Sequence, residues 1–423
     1  MQSTRGYQVV PLRLLTLILG AIFTLIITKK LIATFGIEGY ATYAVLTAIP
    51  SLIPFADLGL GLGVFNSYAR HQLTTSLPQK AKEQITLAFY LICTFAILAI
   101  SISFILIKVY GLGYLFYGKL TNLNDNNALL ILCFTFLSSP LTLGFRKMYA
   151  TGKVLPAIIL SFLIPLTNLI LTFYFISISN YVDQWVVLAP STSYLIANLL
   201  TFKIEKIHKD FVRIRFSNLK TEITSLLKYA LTSTLFISLI ALILQLPKFY
   251  FAHQNAQMNV AKYSILLIIT SSLGSLISAY SSILVPNYKK FGITPENLSK
   301  FLPNYRHSFF ISFFLILLYF YGPLISDYFF KINFSRIELL VSGVGIIFYL
   351  FWVFYNSFVT EAIDLKILFI TGFISFIVTY SILLVLEPNS FSICITLMFL
   401  QIFAILLFAS IYRIFYFKEN FLE

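Results

Sequence analysis

Four charged side chains fall at depths where an apolar run should carry none. Lys29 and Lys30 lie late in the first run, Asp57 near the middle of the second and Lys248 late in the seventh. A charge at the bilayer centre costs about 2.5–3.5 kcal/mol on insertion scales, so such a group turns toward a cavity or a partner. Lys29 and Lys30 sit about 100° apart around a helix. One is therefore expected to snorkel outward while the other faces inward. Lysines from the first and seventh runs would make a basic patch inside the protein. That patch suits an anion, of which phosphate is the commonest large example. Asp57 beside it could exchange a proton, or could simply form an ion pair with a lysine. Arg70, Arg146 and Lys147 stand at inner helix ends. They read either as anchors at the mouth of a cavity or as interfacial residues that snorkel.

Other chemistries find no support. Cys93, Cys133 and Cys394 lie in separate apolar runs with no His nearby, so neither a metal site nor a disulfide is expected. No Gly-rich nucleotide loop of the Gly-x-x-x-x-Gly-Lys-Ser/Thr type occurs. No cofactor is expected, and work against a gradient would draw on an ion gradient, the membrane potential or a partner.

The elements that position these residues follow from composition. The chain is 59% hydrophobic and only 11% charged. Water would leave that apolar surface unburied, whereas lipid accepts it and helices satisfy their own backbone. Twelve spans are expected, over 12–35, 41–69, 85–108, 128–148, 154–178, 185–203, 225–250, 261–286, 307–326, 338–360, 366–386 and 391–413. With the N-terminus inside, 22 of the 30 Lys and Arg residues fall on the cytoplasmic side. By the positive-inside rule both termini are then cytoplasmic. The net charge of +14 follows from that topology, and no nucleic-acid partner is expected.

The longest polar gap, 204–224, carries five basic residues at the midpoint. It divides the chain into a first six-helix bundle (1–203), a basic cytoplasmic linker (204–224) and a second bundle (225–423). The linker's charge fits an inner leaflet of anionic lipid. The halves look related. Tyr43 to Arg70 and Tyr263 to Lys290 both span 27 residues, and a lysine near the end of the first helix, Lys30, recurs as Lys248. This is a parallel repeat. The fold class expected is all-α integral membrane, with about twelve helices in two six-helix bundles around a central cavity. Pro50, Pro54, Gly59, Gly61 and Gly63 give the second span a kinked, closely packed character.

Residues 29–70 carry a resemblance. Lys30, Gly36, Glu38, Gly39, Tyr40, Tyr43, Asp57, Leu58, Gly59 and Leu60 resemble the signature of the polysaccharide-transporter flippases. These belong to the multidrug/oligosaccharidyl-lipid/polysaccharide exporter (MOP) superfamily. Gly39-Tyr40 reverses the family's Tyr-Gly order, and Pro247 stands where an acidic residue precedes the second basic one. The resemblance implies alternating access and translocation of undecaprenyl-pyrophosphate-linked oligosaccharide, an O-antigen or capsule repeat unit, across the bacterial inner membrane. It implies pyrophosphate contacts for Lys30, Lys248 and Lys29, and partners among the polymerase and chain-length proteins of the same pathway. The competing readings are an O-antigen polymerase, a drug/cation antiporter of the same superfamily and a peptidoglycan-precursor flippase. A polymerase would need a larger outer loop than 109–127, an antiporter would favour acidic cavity groups, and a precursor flippase often carries extra helices.

Overall fold

A computed structural model describes residues 2–52, 60–61, 64–65, 68, 79–115, 125–182, 185–213, 239, 241–291, 320–324, 326–358, 362–386 and 390–420. Among them the chain is helical and contains no strand. In chain order the long helices are α1 (Gln2–Ala48), α2 (Gln79–Leu115), α3 (Asp125–Ser138), α4 (Leu143–Ala150), α5 (Val154–Ile178) and α6 (Ala189–Ile204). They continue with α7 (241–253), α8 (Gln257–Phe291), α9 (Arg336–Phe358), α10 (Ala362–Leu386) and α11 (Phe391–Asn420). Five stretches among the described residues are long and apolar enough to cross a bilayer: Pro11–Ala48, Ala81–Gly111, Asp125–Ala150, Val154–Ile178 and Arg336–Val353. Their outer faces are bare hydrocarbon. Ile97, Ile102, Ile105 and Val109 on α2, and Ile159, Ile170 and Tyr174 on α5, are all exposed. Such surfaces are stable only in lipid. The chain is a multi-pass membrane protein.

The expected spans at 154–178, 338–360, 366–386 and 391–413 coincide with or overlap α5, α9, α10 and α11. The first ends where expected, because Gly36 takes φ 73° and ψ −176° inside α1. Only glycine adopts that backbone without strain. The span 128–148 is two helices, α3 and α4, joined by a tight turn at Pro140–Thr142. Proline at 140 lacks the N–H that would continue α3. Residues 53–59, which include Asp57, together with Arg70 and most of 307–326, lie outside the described residues.

By packing, the chain divides into two compact units, Met1–Ala261 and Lys262–Glu423. Residues 205–213 and α7 belong to the first unit, and 214–224 of the expected linker lie outside the described residues. In the first unit α1 lies along α5, α5 against α6, and α4 against α6. Leu60, Val64, Tyr68, Ile85, Ala88, Ile92, Leu143 and Ala150 form a buried core against which Phe89 and Phe211 pack. In the second unit α9 and α10 both pack on α11, and the Phe348 and Phe403 rings meet at 5.2 Å.

One close approach in the first unit allows no side chain. A Cβ on Gly144 of α4 would lie 2.6 Å from the backbone of Thr201 and Phe202 in α6. Backbone cannot rotate aside, so the helices must separate. Gly144→Ala is expected to lower stability by about 1–3 kcal/mol, the usual cost of overpacking. A melting temperature equal to the parent's in detergent would contradict this close packing.

Candidate functional site

The basic end of the first unit holds the densest polar cluster among the described residues. The Lys147 Nζ donates to Asp210 Oδ2 at 2.6 Å and to the Glu205 carbonyl at 2.9 Å. The Tyr68 hydroxyl donates to the same Asp210 oxygen at 2.6 Å, and Lys147 stands 5.3 Å above the Tyr68 ring. Lys153 pairs with the Glu205 carboxylate at 3.0 Å. The Val212 N–H donates to Thr86 Oγ1 at 3.1 Å. Phe211 inserts against Phe89 at 4.6 Å. Both acids of the 203–213 stretch are thereby turned inward, while Lys203, Lys206, Lys209 and Arg213 are exposed. Lys147, read from sequence as an anchor, is the centre of a half-buried ion pair. Its side chain is 16% exposed and that of Asp210 15%. Arg146, the neighbouring candidate, is exposed and engaged. Nothing in the sequence marked Asp210 or Glu205, because the lysines they pair with lie 63 and 52 residues away.

The second unit pairs its own buried lysine. Lys262, 8% exposed, donates to both Glu338 oxygens at 2.8 and 2.9 Å. The rings of Phe334 and Phe391 flank its ammonium at 5.4 and 5.8 Å. Glu338 also accepts from the Ser335 N–H at 2.7 Å while Ser335 Oγ accepts from the Glu338 N–H at 3.2 Å. That reciprocal pair caps α9. Lys262 is fully satisfied and reads as structural.

Lys248 differs from both. It is 6% exposed in the interior of α7 and makes no ion pair or hydrogen bond among the described residues. One turn before it, the Gln245 Oε1 is buried without a hydrogen-bond partner. Pro247 between them cannot donate to the carbonyl four residues back. Helix α7 ends in a Schellman turn. Asn255 takes φ 56°, the Ala256 N–H reaches the Phe251 carbonyl at 2.9 Å, and the Asn255 N–H reaches that of Ala252 at 3.1 Å.

The two halves match in detail around this turn. Every position from 40 to 46 is buried and 47 half-buried, and the same holds from 260 to 266 and at 267. Tyr43 then stands opposite Tyr263, an offset of 220, and the backbone breaks at Gly36 and Asn255 agree within one position. In this register Lys248 is opposite Thr28, itself 2% exposed. Lys29 and Lys30 are opposite Phe249 and Tyr250 and are exposed. The equivalence of Lys30 and Lys248 expected from sequence therefore does not hold. The lysines share a level along their helices, but successive residues point about 100° apart, and only Lys248 occupies the buried face. Near the breaks, the Gln257 Nε2 donates to Glu38 Oε1 at 2.9 Å, which ties the start of α8 to the segment after Gly36. No group of His, Cys, Asp or Glu able to hold a metal occurs among the described residues.

No family model and no curated protein matches the chain. Solved structures do. An inward-facing multidrug-resistance transporter of the MATE family, MOP superfamily, superposes with a TM-score of 0.62 at 14% identity, over 96% of this chain and 97% of that one. A point mutant of the MATE transporter VcmN of Vibrio cholerae gives 0.59 at 15%, over 99% and 97%. A MOP-superfamily transporter from Pyrococcus furiosus gives 0.59 at 13%, over 96% and 94%. The chain shares the fold of these MOP-superfamily transporter structures, and it is all-α among the described residues.

Proposed function

We propose that this chain is a flippase. It carries undecaprenyl-pyrophosphate-linked oligosaccharide, an O-antigen or capsule repeat unit, from the inner to the outer leaflet of the bacterial cytoplasmic membrane by alternating access. Both termini lie in the cytoplasm. The observation that carries the reading is Lys248, a buried cation with no anion beside it among the described residues, on a transporter fold. An isolated ammonium is costly in a low-dielectric interior and is stabilised when an anionic ligand arrives. A pyrophosphate supplies that charge, and the resemblance of residues 29–70 to polysaccharide transporters supports the same substrate class. Asp57 remains the proposed coupling carboxylate. Asp57→Asn is expected to uncouple transport from an imposed pH gradient while leaving substrate binding near normal.

The drug-antiporter reading has one support, the multidrug transporters among the structural neighbours. A cationic drug would meet Lys248 with like charge, which weighs against it. The neighbour from Pyrococcus furiosus is described as having a binding pocket of reversed polarity that suggests a different function, so pocket charge need not follow the drug transporters. The deciding experiment reconstitutes the protein in vesicles with lipid-linked oligosaccharide in one leaflet and follows its appearance in the other. Protein-dependent flipping is the expected result. Export of a lipophilic cation with no flipping would replace this function by antiport.

A further inference from the structure

We infer that Gln245 and Lys248 together form a one-sided anion site on α7, and that Lys29 and Lys30 are not part of it. The inference rests on the flippase reading and names which residues take the phosphate oxygens. Residues three apart on a helix lie on one face, so the Gln245 amide and the Lys248 ammonium stand one turn apart on the same side. Among the described residues the Lys248 ammonium, on a residue 6% exposed, and the buried Gln245 Oε1 have no hydrogen-bond partner. Native proteins rarely leave such groups unpaired, and an exception calls for an explanation. A ligand bearing several anionic oxygens provides one. The ammonium donates to one oxygen. The unpaired Gln245 Oε1 is an acceptor, so the carboxamide donates to another oxygen once its O and N positions are exchanged, an assignment that hydrogen bonding sets.

The offset of 220 shows that this face belongs to the second repeat alone. Gln245 and Lys248 are opposite Leu25 and Thr28, and the Thr28 hydroxyl is already spent on the Thr24 carbonyl at 2.9 Å. The first repeat therefore offers no matching site. Its lysines project from exposed positions of α1, whereas their counterparts in α7, Phe249 and Tyr250, are half-buried and buried. The site is asymmetric, and a phosphoryl or diphosphate group binds it from one helix.

The test uses the full chain in nanodiscs of phosphatidylcholine and titrates inorganic pyrophosphate, read by phosphorus NMR. The parent is expected to bind. Gln245→Leu should weaken binding about tenfold, the scale of a hydrogen bond to a charged group, and Lys248→Gln by more. Lys29→Gln and Lys30→Gln should stay within about twofold, as expected for screened, exposed charges. Gln245→Glu keeps the size but sets an anion against the ligand and one turn from Lys248, so it should abolish binding while the melting temperature does not fall below the parent's. Repeating the titration in phosphatidylglycerol separates the sources of phosphate: undiminished affinity marks a site for the substrate's diphosphate, and loss of affinity marks one that a lipid headgroup fills. Parent-like binding by Gln245→Leu and Gln245→Glu, or loss of binding in Lys30→Gln equal to that in Lys248→Gln, overturns the inference and leaves the flippase reading standing. A parent that binds no pyrophosphate in either lipid overturns both.

Discussion

Lys248→Met is expected to abolish flipping and yet to raise the melting temperature. The side chain is buried in α7 without an ion pair among the described residues. Its charge therefore costs folding free energy that methionine, of similar length, would not incur. Sites that bind charge are commonly built at the expense of stability. Removing the only ammonium of the proposed site should cost about 3 kcal/mol of ligand affinity, on the order of a hundredfold. Lys248→Arg keeps the charge and should retain part of the activity. Thermal unfolding in detergent and the vesicle assay would be read side by side. A lower melting temperature with unchanged flipping would identify Lys248 as structural and remove the pyrophosphate anchor.

Asp210→Ala is expected to destabilise the first unit more than any other single change at the basic end. It strips Lys147 and Tyr68 of a shared acceptor, each bonded at 2.6 Å, in a place where the two ionic side chains are about 15% exposed. Breaking a fully buried pair on one side costs about 3–5 kcal/mol because the remaining charge is stranded, and this half-buried pair should lose part of that, about 1–3 kcal/mol. Lys147→Met in the Asp210→Ala background should restore part of that loss, since no charge then remains to be solvated. Glu205→Gln should be milder, because its partner Lys153 is 54% exposed at the side chain and solvent screens it. Equal melting temperatures for Asp210→Ala and the parent would show that the cluster does not hold residues 205–213 in place.

These two sites mark how far reading the sequence could go. Tyr43 and Tyr263, with their equal spacing to Arg70 and Lys290, were visible as a repeated pattern, and the register they imply is the one that burial follows. The mistaken step was to match Lys30 with Lys248 by their nearness to helix ends. An offset of 220 already separates them by two positions, and two positions turn a helical side chain through about 200°. Charge alone gave no warning, because a lysine looks the same on either face.

The membrane class, the apolar spans and the all-helical fold were determined by the sequence itself, because apolar length and the need to satisfy backbone hydrogen bonds leave lipid few alternatives. Which lysines carry free charge was decided only in three dimensions. Lys147, Lys153 and Lys262 are neutralised by carboxylates 63, 52 and 76 residues away, whereas Lys248 is buried with none beside it among the described residues. Pairing depends on which helices lie side by side, and that is a property of packing between segments far apart in the chain.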